Sequence, residues 1–280
     1  MDEKIAINGA APINGKRLVI KIGTSSLTHC TGRLDYRHIE EMVSVVCDLK
    51  NMGYEIVLVS SGAGGIGLGK INLSGRPEEA AKRRALAAAG QSGLMAIYEE
   101  LFNIYNQRVA QVLLTKSVLE DPTNYNNIRN VFSEMLAYRV LPIVNENDVV
   151  AADEVDSDDL FGDNDTLSAY VAKLVRADVL IVWSDIDGLY NKDPRRYPDA
   201  QLIPVVTCID DETYRMAGDV GTSRGKGGMK TKLDAARIAI DSGIDMIIAN
   251  SRHPEDLYDI LEDKGIATRF KSSVQKIESL

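Results

Sequence analysis

The sequence predicts an α/β protein in which helices cover both faces of a mainly parallel sheet. Apolar runs of five or six residues alternate along the chain with longer segments of helical periodicity. The runs are apolar at nearly every position, which is typical of strands buried on both faces. Repeated β-α-β units of this kind place helices above and below one sheet.

Residues 1–16 are irregular, and we expect an N-terminal arm there. The apolar runs of the first half predict four strands, at 17–22, 55–59, 109–114 and 140–144. Helical periodicity predicts three helices, at 35–52, opened by Asp35, at 77–106, which is rich in alanine, and near 124–138. Between the second strand and the alanine-rich helix, glycines and a proline predict a loop that extends to residue 77.

The second half continues the alternation. Its apolar runs predict strands at 178–183, near 202–207 and at 245–249, and its periodic segments predict helices at 165–176, 230–242 and 254–263. Residues 271–280 are expected to form a tail. Because no linker or repeat interrupts the pattern, we expect one continuous fold. Ligands of such sheets bind at the carboxyl ends of the strands, so functional residues are sought in the loops that follow them.

Composition excludes several classes of protein. The 280 residues carry a formal net charge of −9, and the sequence pI is about 5.0, which argues against a nucleic-acid or anionic-membrane partner. No run approaches the ~20 apolar residues of a membrane span. The three cysteines, an odd number without a C-x-x-C pair, suit a reducing compartment and argue against a zinc site. We therefore expect a cytoplasmic protein without a protein-bound metal.

One basic segment stands out in this acidic chain. Residues 224–232 hold four cations and three glycines, and a predicted helix follows directly. Backbone N–H groups, positive side chains and the helix dipole all attract phosphate at such a place. The alternative is a solvated basic loop with a glycine hinge.

Two glycine patterns after the second strand indicate nucleotide binding only weakly. Residues 62–67 match G-x-G-x-x-G, but a dinucleotide-binding turn needs a helix that begins inside the motif, and residues 68–77 are predicted as loop. Residues 64–70 nearly match a P-loop, yet Ile71 stands where Ser or Thr must bind magnesium.

The acidic segment 146–165 raises the possibility of a calcium loop. An EF-hand needs an oxygen ligand at its fifth position and glycine at its sixth. Counted from Asp156, these positions hold Leu160 and Phe161, so the pattern fails. Residues 153–159 are expected to form a solvated flap, while the segments on either side end a strand and open a helix at the edge where ligands bind.

Six motifs give the sequence a specific resemblance. They are Lys21-Ile-Gly-Thr-Ser, Val59-Ser-Ser-Gly-Ala63, Val144-Asn-Glu-Asn-Asp148, Gly162-Asp-Asn-Asp-Thr-Leu-Ser168, Ser184-Asp-Ile-Asp-Gly-Leu-Tyr190 and Gly227-Gly-Met-Lys-Thr-Lys232. In kind and order they resemble the motifs of the glutamate 5-kinase branch of the amino acid kinase family. The resemblance covers about residues 17–270 and implies a three-layer α/β/α sandwich, with an acceptor-binding lobe at about 17–176 and a nucleotide-binding lobe at about 177–270. It also makes the glycine-rich segment an acceptor loop.

The resemblance implies roles for individual residues. Lys21 and Lys232 would contact the phosphates, and Asp165 would organise the two lysines. L-glutamate would be bound by Ser61, Asp148 and Asn164, although Asp148 and Ser61 are also ordinary turn residues and Asn164 could simply cap a helix. The residues implied for ATP binding are Lys21, Ser184, Asp185, Lys226, Gly227, Gly228, Met229, Lys230, Thr231 and Lys232.

The implied reaction phosphorylates the side-chain carboxylate of L-glutamate with ATP, the first step of proline biosynthesis. That carboxylate, with a reference pKa of about 4.3, is already ionised at neutral pH, so no general base is needed. The two lysines and a Mg²⁺ ion on ATP would neutralise the charge of the two meeting anions. The resemblance further implies feedback inhibition by proline and a homo-oligomer.

Some features depart from the family pattern. Lys226 stands where a small hydroxyl residue is usual, and the flap at 153–161 is unusually acidic. We also expect a chain without the additional C-terminal PUA domain of many relatives. Two alternatives stay open: a sister kinase with another carboxylate, carbamate or phosphate acceptor, and a nicotinamide-dependent oxidoreductase or catalytically silent regulator. Retention of both Lys21 and Lys232 argues against a silent regulator.

Overall fold

The computed structural model describes residues 16–29, 33–73, 75, 77–150, 163–218 and 228–274. Within them the strands are β1 (Arg17–Ile22), β2 (Glu55–Ser60), β3 (Val109–Leu114), β4 (Leu141–Glu146), β5 (Val179–Ser184), β6 (Val205–Val206), β7 (Asp245–Asn250) and β8 (Thr268–Phe270). The helices are α1 (Thr24–Leu27), α2 (Tyr36–Asn51), α3 (Ala63–Ile71), α4 (Ala80–Ile104), α5 (Lys116–Glu120), α6 (Pro122–Ala137), α7 (Asn164–Leu174), α8 (Asp211–Met216), α9 (Met229–Asp241) and α10 (Asp256–Leu261).

The eight strands form one sheet in the order β3-β4-β2-β1-β5-β7-β8-β6. All neighbouring strands are parallel except the antiparallel pair β7–β8, which confirms the mainly parallel sheet. Strand β1 lies between β2 and β5, so the sheet runs without a break across the lobe boundary predicted at about residue 176. The division into two lobes stays a prediction.

Alternate residues of each central strand enter two separate cores. On one face, Val19 and its counterparts pack against α6, α7 and α9. On the other face, Leu18 and Ile20 pack against α2, α4 and α10. Two helical layers around one sheet make the three-layer α/β/α sandwich, and burial on both faces explains why the strands are apolar at almost every position.

The main departure from the predicted elements lies after β2. A loop was expected up to residue 77, but helix α3 spans Ala63–Ile71 and begins inside the G-x-G-x-x-G pattern. The argument that this pattern lacks such a helix is therefore wrong. Glycine's low helix propensity predicts a loop here, but packing against α4 overrides that preference.

Two glycines allow α3 and α4 to pack backbone to backbone. A Cβ atom at Gly67 would lie 1.9 Å from the carbonyl oxygen of Leu86, and one at Gly90 would lie 1.7 Å from that of Ala63. Both separations are far below contact distance, so any larger residue would force the helices apart. The glycines that weaken the helix signal in the sequence are thus the residues that let it dock.

Smaller differences concern short elements. The strand expected near 202–207 is reduced to Val205–Val206, and β8 was not predicted. The short helices α1, α5 and α8 were also missed, because four to six residues carry too little periodicity. No helix in the described ranges has the length and apolar character needed to cross a membrane.

Candidate active site

Lys21 is carried to the site by the alternation of strand β1. Val19 faces the core formed with α7 and α9, and Lys21, two residues further along, faces the same side. It is the penultimate residue of β1 and only 7% of its surface is exposed. The predicted phosphate ligand therefore lies at the carboxyl edge of the central strand, where such sheets bind ligands.

Asp165 holds both predicted catalytic lysines. Its Oδ1 lies 2.6 Å from Nζ of Lys21, and its Oδ2 lies 3.1 Å from Nζ of Lys232. Thr231 donates a further hydrogen bond of 3.0 Å from its hydroxyl to Oδ2. Because all three charged side chains are at least nine-tenths buried, the structure brings the sequence-predicted set together as one desolvated cluster with a net positive charge.

The electrostatics of Asp165 follow from its two partners. Burial alone would raise the pKa of Asp165, but the charges and hydrogen bonds of Lys21 and Lys232 outweigh it and lower the pKa to about 2. The neighbouring Asp163 behaves differently, since burial and the charge of Asp165 raise its pKa. Asp165 is therefore a permanent anion at neutral pH.

Asp163, and not Asn164, caps the N-terminus of α7. The carboxylate of Asp163 is the N-cap of α7 and accepts from the backbone N–H groups of Asp165 and Thr166, at 2.7 and 2.9 Å. The alternative in which Asn164 caps this helix is therefore wrong. The side chain of Asn164 turns instead toward β2 and β4.

A chain of amides links three elements on the side of β2 and β4. Asn164 Nδ2 donates to the Ser61 hydroxyl at 2.9 Å and to Asn145 Oδ1 at 3.0 Å. Asn145 Nδ2 in turn donates to Gln91 Oε1 of α4 at 2.8 Å. Ser61 precedes Gly62, whose φ of 108° turns the chain from β2 into α3 and suits glycine alone.

This amide chain brings together two of the three predicted acceptor-binding residues, Ser61 and Asn164. The third, Asp148, lies two residues beyond the end of β4 and is partly buried. Sequence reasoning missed Gln91 and Asn145 as members of this amide chain. The available signals were Asn145 within a quoted motif at a strand end, and a glutamine within the alanine-rich helix.

A cavity of about 310 Å³ opens on the other side of the cluster, from β5 toward α8 and α9. Five of the residues predicted to bind ATP line it, namely Ser184, Asp185, Gly228, Met229 and Lys232. Gly228 is the N-cap of α9 and offers no side chain to its first turn, so that turn presents N–H groups of the kind that bind phosphate. Thr231 instead turns its hydroxyl to Asp165.

The loop after β5 is fixed from behind by residues far along the chain. A Cβ at Gly188 would lie 2.2 Å from Oγ1 of Thr268, so β8 touches this loop directly. The buried Thr268 hydroxyl accepts from Leu189 N and donates to Ile203 O, both at 2.7 Å. Strand β8 thereby holds one wall of the cavity in place.

Some predicted residues lie outside the described ranges. These are Lys226, Gly227 and the acidic flap at 153–161. Lys230 is described, and it is exposed in the first turn of α9. Within the described part of the chain no group of three His, Cys, Asp or Glu side chains is arranged to hold a metal ion.

Comparison with known proteins agrees with this geometry. A model of the amino acid kinase family matches residues 16–250. The glutamate 5-kinase of Clostridium perfringens (strain 13 / Type A) is 49% identical over 257 residues, which cover 92% of this chain and 96% of the relative. That of Ligilactobacillus salivarius (strain UCC118) is 46% identical with the same coverage. A third, from Thermoanaerobacter sp. (strain X514), is 46% identical over 94% of this chain and 70% of the relative.

Solved structures with low identity share the fold. Carbamate kinase from Giardia lamblia bound to AMP-PNP superposes with a TM-score of 0.65 at 18% identity and covers 92% of this chain and 99% of its own. UMP kinase from Ureaplasma parvum gives 0.63 at 16% identity, with the same coverage. The sandwich is therefore the amino acid kinase fold. Since the family model matches residues 16–250 and these curated relatives are 46–49% identical over 92–94% of this chain, the chain belongs to the amino acid kinase family and, within it, to the glutamate 5-kinases.

Proposed function

We propose that this protein transfers the γ-phosphoryl group of ATP to the side-chain carboxylate of L-glutamate and forms L-glutamyl 5-phosphate. The observation that carries the proposal is the Lys21–Asp165–Lys232 cluster, which lies between the cavity beside β5 and the amide chain beside β2 and β4. A carboxylate oxygen of glutamate would attack the γ-phosphorus, and the bond to ADP would break with its electron pair leaving on ADP.

Charge neutralisation is the main task in this reaction, because both reactants are anions. Lys21 and Lys232 are buried, so their charges act in a medium of low dielectric and are worth more than in water. Asp165 holds both ammonium groups in position beforehand, which avoids reorganisation during the reaction. Because its pKa is lowered to about 2, Asp165 is negatively charged at neutral pH, and this charge offsets the repulsion between the two lysines.

The acceptor side supports an amino acid with polar groups at its α-carbon. Ser61 and Asn164 form one hydrogen-bonded unit there. Asp148 would provide the negative charge for an ammonium group. The nearly half-identical relatives named glutamate 5-kinase support glutamate over the other acceptors used within the fold.

The nucleotide side would hold ATP in the cavity between β5 and α9, with its phosphates toward Lys21, Lys232 and the first turn of α9. Mg²⁺ typically binds phosphates together with one or two carboxylates, and Asp165 is already engaged by both lysines. We propose that Mg²⁺ arrives with ATP and neutralises phosphate charge. The buried lysines support this kinase over a nicotinamide-dependent oxidoreductase or a silent regulator.

Three further properties belong to this proposal. Proline, which shares the α-carboxylate and a cationic nitrogen with glutamate, would compete for the acceptor site. The protein would act as a homo-oligomer, as the resemblance implies. It would work in the cytoplasm, where ATP and free glutamate are abundant and where the thiols of Cys47 and Cys208 stay reduced.

The decisive experiment traps the product. With ATP, Mg²⁺ and hydroxylamine, L-glutamate should give the γ-hydroxamate in step with ADP release. The same assay should be run with L-aspartate, glutarate, carbamate and UMP as acceptors. ADP release that is independent of glutamate, without hydroxamate, would contradict the proposal, and faster turnover of another acceptor would favour the sister-kinase alternative.

A further inference from the structure

The amide chain beside β2 and β4 has a fixed direction. Oδ1 of Asn145 accepts from the backbone N–H of Glu146 at 2.9 Å. A backbone donor cannot be reversed, so this bond decides which end of the Asn145 amide is oxygen. Its nitrogen must then point to Gln91, and Gln91 must present its own oxygen.

The same rule fixes Asn164. Asn145 Oδ1 also accepts from Asn164 Nδ2, and Ser61 takes the second hydrogen of that nitrogen. Both donors of Asn164 are therefore used inside the protein. In the described part of the chain its carbonyl oxygen accepts no hydrogen bond, and a carbonyl oxygen suits an ammonium group rather than a carboxylate.

Gln91 lies at the far end of this amide chain, and its amide nitrogen is left without a hydrogen-bond partner in the described part of the protein. Gln91 is 9% exposed, and this nitrogen, Nε2, is buried. An unpartnered buried donor is unfavourable, yet turning the amide over would set two N–H groups against each other at Asn145. Position 91 also follows Gly90, which packs against the backbone of α3, so the glutamine is carried by a rigid contact.

We propose that Gln91 is a positioning residue for the acceptor amino acid. Gln91 fixes the orientation of Asn145, and Asn145 in turn fixes that of Asn164. The carbonyl oxygen of Asn164 then faces the acceptor and accepts a hydrogen bond from its α-ammonium group. Gln91 itself does not touch the acceptor. This inference rests on the proposed function, since it takes glutamate as the acceptor.

The test compares two acceptors that differ in the ammonium group. Glutarate has both carboxylates of L-glutamate but no ammonium, so the ratio of kcat/KM for L-glutamate to that for glutarate measures how well the ammonium is read. Gln91→Leu removes the oxygen that Asn145 needs, and we expect the ratio to fall roughly tenfold, as for loss of one buried hydrogen bond. The KM for ATP should not change.

Gln91→Glu is the matched rescue, because one carboxylate oxygen still accepts from Asn145. Its added negative charge repels glutarate, with a net charge of −2, more than L-glutamate, with a net charge of −1, so the ratio should be at least as high as in the parent. A merely structural role would lower the rates for both acceptors together and leave the ratio unchanged in every variant.

The proposal is overturned if Gln91→Leu keeps the parent ratio, if Gln91→Glu loses it equally, or if the KM for ATP rises in step with that for glutamate. Should Gln91→Leu not fold, Gln91→Met takes its place, and failure of both to fold makes the residue structural and the proposal wrong. A parent enzyme that forms no glutamyl hydroxamate contradicts the proposed function instead, so the two failures are distinguishable.

Discussion

The ammonium nitrogen of Lys21 lies 2.6 Å from Oδ1 of Asp165, and this pair joins the central strand to the first turn of α7. The same carboxylate reaches Lys232 through its second oxygen. Two cations that would repel each other are thus held at one place before any phosphate is bound. The packing of β1, α7 and α9 thus holds together the two positive charges that we propose for phosphoryl transfer.

Removing either cation should slow the chemical step strongly. We expect Lys21→Met and Lys232→Met to lower kcat roughly 100- to 1,000-fold, since methionine keeps the length and removes the charge. Lys173→Met, at the exposed end of α7, is the matched control and should stay within about twofold. Coupled ADP-release kinetics at saturating ATP and glutamate measure this. If Lys232→Met keeps a kcat within a few-fold of the parent, the basic segment 224–232 is a glycine hinge and does not bind phosphate.

The pair also predicts how stability depends on pH. The folded-state pKa of Asp165 is lowered from 3.8 to about 2, so its contribution is complete above about pH 4 and is lost as pH falls toward 2. The difference in unfolding free energy between the parent and Asp165→Asn should therefore shrink by about 2 kcal/mol across that window. Urea unfolding at stepped pH measures it. A difference that does not vary between pH 5 and 2 would contradict the lowered pKa.

Free proline should raise the apparent KM for glutamate and leave that for ATP nearly unchanged. Asp148→Asn should weaken both proline and glutamate, because it removes the charge their cationic nitrogens share. Asp241→Asn, at the exposed end of α9, is the control and should change neither. Initial rates at several glutamate concentrations with millimolar proline decide the matter. An unchanged apparent KM would mean that proline does not compete at this site.

The close contact of α3 and α4 should make Gly90 intolerant of any side chain. Gly90→Ala places Cβ 1.7 Å from a backbone oxygen, and we expect a loss of about 3 kcal/mol in unfolding free energy. Gly69→Ala, in the same helix pair but with nothing within 4 Å of its Cβ, should gain about 0.5–1 kcal/mol. Denaturant midpoints of the two variants should move in opposite directions; equal shifts would refute the packing argument.

Thr268 should affect the nucleotide side alone. Thr268→Val keeps the shape but leaves Leu189 N and Ile203 O without their partner, so we expect a loss of about 1–3 kcal/mol and a higher KM for ATP. Thr268→Ser keeps the hydroxyl and should retain the parent KM for ATP. If the valine variant instead raises the KM for glutamate, β8 does not act through the loop after β5.

Sequence patterns predicted the strands best. The strand at 17–22 matches β1 residue for residue, because Leu18, Val19 and Ile20 are all fully buried in the middle of the sheet and give an unbroken apolar run. Helix α3 was missed because its glycines signal a loop locally, while the contact that requires them involves Leu86 and Gly90, far along the chain. Helix propensity depends only on residues that are close in sequence, so it carries no information about the contact between α3 and α4.

The residues of the candidate site were likewise predictable only in part. Lys21, Asp165 and Lys232 could be predicted because motifs mark them, and the alternation of β1 puts Lys21 on the correct face. The role proposed for Gln91 could not be predicted, because it depends on hydrogen bonds that form only when α4, β4 and α7 come together. For Asn164, the sequence left helix capping open beside acceptor binding, and only the position of Asp163 as the cap excluded capping.

The contact between Gly188 and Thr268 has a consequence for the order in which the enzyme is made. Lys21, Ser61 and Asp165 leave the ribosome well before β8, and their part of the sheet already includes β1, β2 and β4. The wall of the cavity beside β5 gains its last hydrogen bonds only when residue 268 emerges. In a nascent chain, the residues of the amide chain, Ser61, Gln91, Asn145 and Asn164, therefore all emerge before this wall of the cavity can form its last hydrogen bonds.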